Sequence, residues 1–231
     1  MPHWKCHPAG ATLRAVPPTC GLAIRVTAVS PVRAHAIIPL ALFEAIRSLD
    51  SPTDDGLDEF HHELAVKRLG MNRTVLAQIE RYDRLVRGNK RVDGEEAAAL
   101  LRLVGRRPDA GLAYAEAGRR AANLAAHRVA PTLRALRHML PWSFGLYLAR
   151  RAAADVFGMK VAGDGTALEA VMDDPLAVRA TSNGAACGFY GSALAELLRT
   201  FTAFEGALLH DRCRGRGNPQ CHWRAGAPAE E

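Results

Sequence analysis

Between Cys187 and Cys221 the chain places four side chains able to ligate a soft or borderline metal: Cys187, His210, Cys213 and Cys221, spaced C-x22-H-x2-C-x7-C. Three of its five cysteines fall in this window. Apolar residues at Phe189, Ala193, Leu197, Leu198 and Phe201 repeat with a helical period over Ala186 to Phe201, which puts Cys187 in the first turn of a helix. Glu205 to Arg212 and Gln220 to Ala225 read as two short strands joined by the turn-rich Arg214 to Pro219. A hairpin of that length brings Cys213 and Cys221 face to face at its base. One irregular residue after His210 then turns the imidazole toward the same point. Three thiolates and an imidazole close a tetrahedral shell with no position left for water, the pattern of a structural zinc. Zn2+ is therefore the expected cofactor, stapling helix to hairpin. The competing readings are a Cys213–Cys221 disulfide and unrelated buried cysteines. No export signal accompanies these cysteines, which fits a cytoplasmic protein with reduced thiols and disfavours the disulfide.

The same stretch carries a resemblance. Cys187 to Gly191, a helix, an apolar strand, and then Cys213, Gly217, Cys221 and Trp223 in order resemble the end of the 4-vinyl reductase domain. Upstream, Ala117 to Ala122, Ala126 to Pro131 and Leu140-Pro141 are similar to BchJ-type proteins of bacteriochlorophyll synthesis, and together these motifs span residues 110 to 225, about half of the 231-residue chain. The resemblance implies a small-molecule-binding fold akin to subunits of vesicle-tethering complexes and to sensor domains of phenol-responsive regulators. It also implies a homodimer. In those sensors a cysteine, an acidic residue and two further cysteines hold zinc at this spacing. Here His210 stands at the acidic position, which keeps a ligand and changes the charge of the site by one unit.

The expected fold class is α+β, with an antiparallel sheet of four to five strands packed with helices and preceded by a helical N-terminal layer. Residues 1–35, rich in proline and without helical or strand periodicity over most of their length, read as a mobile tail. Residues 36–108 read as four helices: Ala36 to Leu49, Leu57 to Leu69, Thr74 to Val86, and one capped by Asp93 that runs to Val104. Glu96, three residues after Asp93, suits a capping box. Residues 109–226 read as the small-molecule-binding domain, opened by an alanine-rich helix over Asp109 to His127 whose Ala110, Ala113, Ala117 and Ala121 allow close approach of a neighbour. Further helices cover Pro131 to Met139 and Trp142 to Phe157. Three short strands are expected at Met159 to Ala162, Leu168 to Met172 and Leu176 to Thr181.

Catalytic signatures are scarce. The chain has no GxGxxG, P-loop or GxSxG, and no hydride-donor site accompanies the resemblance to a reductase domain, so an enzymatic role ranks below binding. The preferred reading is a binding protein for a hydrophobic, planar molecule, a tetrapyrrole or another aromatic, acting as carrier or accessory factor in bacteriochlorophyll synthesis. His138, Trp142, Phe144, Tyr147, Phe189 and Tyr190 are the ligand-binding candidates, aromatic faces with a few polar tips. His127 or His138 suits a central metal, and Arg119, Arg120 and Arg128 suit propionates. The net charge of +6 comes from scattered arginines, which marks weak attraction to anions rather than a nucleic-acid surface. Glu63 to Ile79 nevertheless has a helix-turn-helix rhythm, so a ligand-responsive DNA-binding regulator stands as the alternative. No stretch is long and apolar enough for a transmembrane helix.

Overall fold

The structure, a computed structural model, describes residues 32–50, 73–129, 141–163, 167–202 and 204–226. In chain order these form β1 (Arg33–His35), α1 (Ile37–Asp50), α2 (Arg73–Arg87), β2 (Arg91–Asp93), α3 (Gly94–Val104), α4 (Ala110–Val129), α5 (Trp142–Ala152), a π-helical turn (Ala153–Phe157), β3 (Lys160–Ala162), β4 (Glu169–Met172), α6 (Leu176–Ala180), α7 (Cys187–Phe201), β5 (Ala207–Arg212), a 3-10 turn (Arg214–Arg216) and β6 (Cys221–Gly226). The class is α+β, with seven α-helices and two antiparallel sheets among the described residues. The larger sheet has the order β3-β4-β6-β5, and the smaller pairs β1 with β2.

Helix α4 is the spine. Ala113, Ala117, Ala121, Ala122, Ala125 and Ala126 are all buried, so α1 and α7 both reach its backbone closely. The tightest approach is at Gly118, where a Cβ would lie 2.3 Å from the carbonyl oxygen of Phe189 and 2.9 Å from Cβ of Ser192. Only a residue without a side chain allows α4 and α7 to meet there. Arg107 ties the spine to α1, donating to both carboxylate oxygens of Asp50 at 2.9 and 2.6 Å and to Asp109 at 2.8 and 3.0 Å.

Several local expectations hold. Asp93 caps α3 by accepting from the Glu95 amide at 3.1 Å. Glu96 does not complete a capping box: its carboxylate takes Arg81 and the Tyr82 hydroxyl, each at 2.6 Å, because α2 lies alongside and offers stronger donors than the cap amide. Leu176 to Thr181 is not a strand. Pro175 opens the short helix α6 instead, and Leu176, Ala177 and Ala180 bury one helical face. The sheet accordingly has four strands. The run Trp142 to Phe157 is not one regular helix, since it ends in the π-helical turn and is closed by Gly158 in the left-handed region at φ +71°. Arg33–His35, assigned to the tail on sequence, forms β1 and pairs with Arg91–Asp93. The helices expected at Leu57 to Leu69 and Pro131 to Met139, and the helix-turn-helix up to Asn72, lie outside the described residues. Arg73 to Ile79 belongs to α2, whose Tyr82 stacks on Phe43 of α1 with ring centroids 5.8 Å apart. Among the described residues no helix is long and apolar enough to cross a membrane.

Candidate metal centre and ligand cavity

Three loop devices assemble the four predicted metal ligands. The first precedes α7. Thr181 Oγ accepts from the Ala186 amide at 3.1 Å, and Asn183 accepts from the Ala185 amide at 3.0 Å, which winds the chain into the helix at Cys187. Gly184 sits inside this loop at φ +74°, and a Cβ there would lie 2.3 Å from Sγ of Cys213. The second device is a β-bulge. Strand β5 pairs His210 with Trp223 and Arg212 with His222, so Asp211 is the extra residue that reorients the strand between His210 and Cys213. The third is the 3-10 turn after Cys213. Its amides fold back so that Arg214 N donates to Sγ of Cys221 at 3.3 Å, while Arg216 N donates to the Cys213 carbonyl at 3.0 Å.

As a result, the ligand atoms of Cys187, His210, Cys213 and Cys221 all lie within 4.8 Å of one another. Sγ of Cys187 is 4.0 Å from that of Cys213 and 3.9 Å from that of Cys221. Two thiolates bound tetrahedrally at ~2.3 Å from one zinc ion are ~3.8 Å apart, close to the observed spacing. The three cysteines are buried and free, so they form no disulfide. His210 Nε2 is buried with no hydrogen-bond partner among the described residues. The His210 ring stacks on Trp223, centroids 4.7 Å apart and planes 13° apart, which fixes its orientation.

The electrostatics point the same way. Hydrogen bonding from Cys187 holds the Cys221 thiol below the ordinary thiol range, helped by His210 and the Arg214 amide and opposed by burial. Cys187 is pushed up, first by its hydrogen bond to Cys221 and then by burial and the neighbouring sulfur charge. By itself the cluster therefore ionises one sulfur readily and resists a second. A bound dication relieves that repulsion and permits three thiolates. The cluster can thus hold a metal ion, and its donors are of the soft kind that favours zinc, copper(I) or iron.

The ligand-binding candidates divide. Phe189 and Tyr190 are buried in an edge-to-face cluster with Phe157, at centroid distances of 6.0, 6.3 and 5.2 Å. Trp142, Phe144 and Tyr147 lie on α5 with 38, 41 and 54 % of their surface exposed. Phe144 and Tyr147 stack at 6.3 Å. His138 lies outside the described residues. Of the arginines proposed for propionates, Arg120 pairs with Glu116 at 2.8 Å and Arg128 with Asp155 at 3.3 Å. A cavity of about 240 Å³ opens beside Tyr190, with Phe157, Ile38, Met172 and Leu176 as apolar lining and Arg91 and Asp173 among the polar groups. The π-helical turn forms part of its wall. Burial pushes the Tyr190 phenol up, so it enters the cavity region protonated.

Gly184, Phe157 and β1 were missed on sequence, whereas the irregular residue expected after His210 is Asp211. Asn183-Gly184 just before a ligand cysteine was a readable signal for the first; the others depend on partners far away in the chain. No protein family, curated protein or solved structure matches this chain.

Proposed function

We propose that this protein is a small-molecule-binding module of the 4-vinyl-reductase-domain kind, whose helix α7 and β5–β6 hairpin are held by one structural zinc ion. The observation that carries this reading is the convergence of three buried thiols and an imidazole within 4.8 Å. Zinc suits the set better than copper(I) or iron because a closed shell of three thiolates and one imidazole needs neither redox chemistry nor an open position. With a neutral imidazole the loaded site carries one net negative charge.

The ligand of this reading is a flat, apolar molecule. Support comes from the cavity of about 240 Å³ beside Tyr190 and Phe157. A cavity of ~150 Å³ is enough to take up benzene, so this one suits a single substituted aromatic ring and is too small for a tetrapyrrole. A second reading, a chlorophyll precursor carried in bacteriochlorophyll synthesis, draws instead on the exposed aromatic face of α5 at Trp142, Phe144 and Tyr147. A homodimer belongs to both readings. Native mass spectrometry of protein purified without chelator is the test: one zinc per chain, lost in Cys213→Ser, supports the metal centre, and metal-free protein removes it. Pigment extraction and titration with phenol then separate the two ligand readings, and no binding of either kind rejects both.

A further inference from the structure

Helix α7 presents a second site on a different face from Tyr190. At about 100° per residue, Gly188, Gly191, Ser192, Ala195 and Arg199 share one side of the helix. They line a groove of about 360 Å³ together with Cys187, with Arg119 from α4 and with His210 and Trp223 from the hairpin, so the groove adjoins the thiol cluster. Trp223 is 1 % exposed, yet its indole Nε1 has no hydrogen-bond partner among the described residues. A buried N–H left unpaired is destabilising, and native proteins rarely leave one without a use. Gly191 lies directly against this buried donor, since a Cβ there would lie 3.2 Å from Nε1 and close off the approach from the groove.

Two cations flank the donor. Arg119 and Arg199 have side chains 44 and 50 % exposed and, among the described residues, pair within their own helices, Arg119 with Glu116 at 2.7 Å and Arg199 with Glu196 at 3.9 Å. Such exposed pairs are weak, so either guanidinium can turn to a ligand at small cost. The close crossing of α4 and α7 at Gly118 brings Arg119 to the Ser192 side of α7. Glu116 and Glu196 offset these two charges in the resting groove, so attraction for an anion arises when a guanidinium turns from its glutamate toward the ligand. We infer that this groove binds the oxyanion of a small molecule, a carboxylate or a phosphate monoester, with the Trp223 indole N–H as its central donor and Arg119, Arg199 and the Ser192 hydroxyl around it.

The test uses the full-length, zinc-replete protein labelled with ¹⁵N, titrated separately with benzoate and with inorganic phosphate. The chain has three tryptophans, so the indole N–H of Trp223 is one of three resonances, assigned by Trp223→Phe, with Trp4 and Trp142 as internal controls. Saturable binding at about 1 mM or tighter, with a downfield shift of the Trp223 resonance, is expected. Trp223→Phe keeps the ring and removes the donor, and weakens binding about tenfold or more. Arg199→Gln weakens it about threefold to tenfold, less so at high salt. Gly191→Ala, which favours the helix while covering the N–H, abolishes binding and serves if Trp223→Phe folds poorly. Tighter binding of benzoate assigns a carboxylate ligand, and tighter binding of phosphate a phosphorylated one. Zinc content measured in the same samples separates this site from the metal centre. If neither probe shifts the Trp223 resonance, or if all three variants bind as tightly as the parent, the inference is overturned.

Discussion

Two histidines stand where a strand meets a helix layer, and their surroundings differ. His35, at the end of β1, is 1 % exposed and fully partnered: Nδ1 accepts from the Ile37 amide at 3.2 Å, and Nε2 lies 3.2 Å from Asn89 Oδ1. His210, on β5, has a buried Nε2 without a partner beside three thiols. The first junction is closed by hydrogen bonds and packing alone, with Asn89 in the left-handed region at φ +52° to complete the turn into β2. The second gathers side chains that could hold a cation. A buried imidazole with both nitrogens satisfied is a structural wedge, whereas one with a free nitrogen is available as a ligand.

Removing the metal should break the comparison most sharply. Chelation, or Cys221→Ser, is expected to destabilise the protein by about 4 kcal/mol when free zinc stands a thousandfold above Kd, and thermal melting with and without chelator measures it. Melting unchanged by chelator would put the two junctions in one class. His210→Glu should retain one zinc per chain by native mass, because a carboxylate is also a zinc ligand.

Next in size is Gly184→Ala. The left-handed φ and a Cβ 2.3 Å from Cys213 Sγ should displace a metal ligand, costing about 2–3 kcal/mol and the bound zinc. Gly118→Ala is the control. It forces α4 from α7 at similar cost in stability and keeps zinc bound, read by melting and metal analysis.

The His35 junction answers to pH instead. Burial holds its pKa below the ordinary value of 6.5, with Arg128 and Arg91 adding to the effect and Asn89 and Asp155 opposing it. The folded value is the lower one, so stability is full above about pH 6.5 and falls as the solution is acidified through the folded pKa. His35→Gln should flatten that slope in denaturant melts between pH 7 and 5. The smallest effect belongs to Tyr82→Phe, which loses the 2.6 Å hydrogen bond to Glu96 at a part-buried site, at about 1 kcal/mol in urea unfolding.

The features readable from the chain are those encoded over a few residues. The period of Phe189 to Phe201 marked α7, Asp93 marked the start of α3, and the His210-to-Cys213 spacing already required an irregular residue, found as the bulge at Asp211. Leu176 to Thr181 misled because six residues of mixed apolar character suit a strand or a helix, and the choice fell to packing of α6 on α3. Glu96 misled in the same way, since its partners Arg81 and Tyr82 come from another helix.

By itself, then, the sequence determined which four side chains could serve as metal donors, the α+β class and the order of the main elements, because donor chemistry and apolar period are local properties. Only the tertiary structure decided that β1 pairs with β2, that Gly184 lies against Cys213, and that Trp223 lines one groove with Arg119 and Arg199. Each of these joins residues far apart in the chain, and their pairing depends on which surfaces the core brings together.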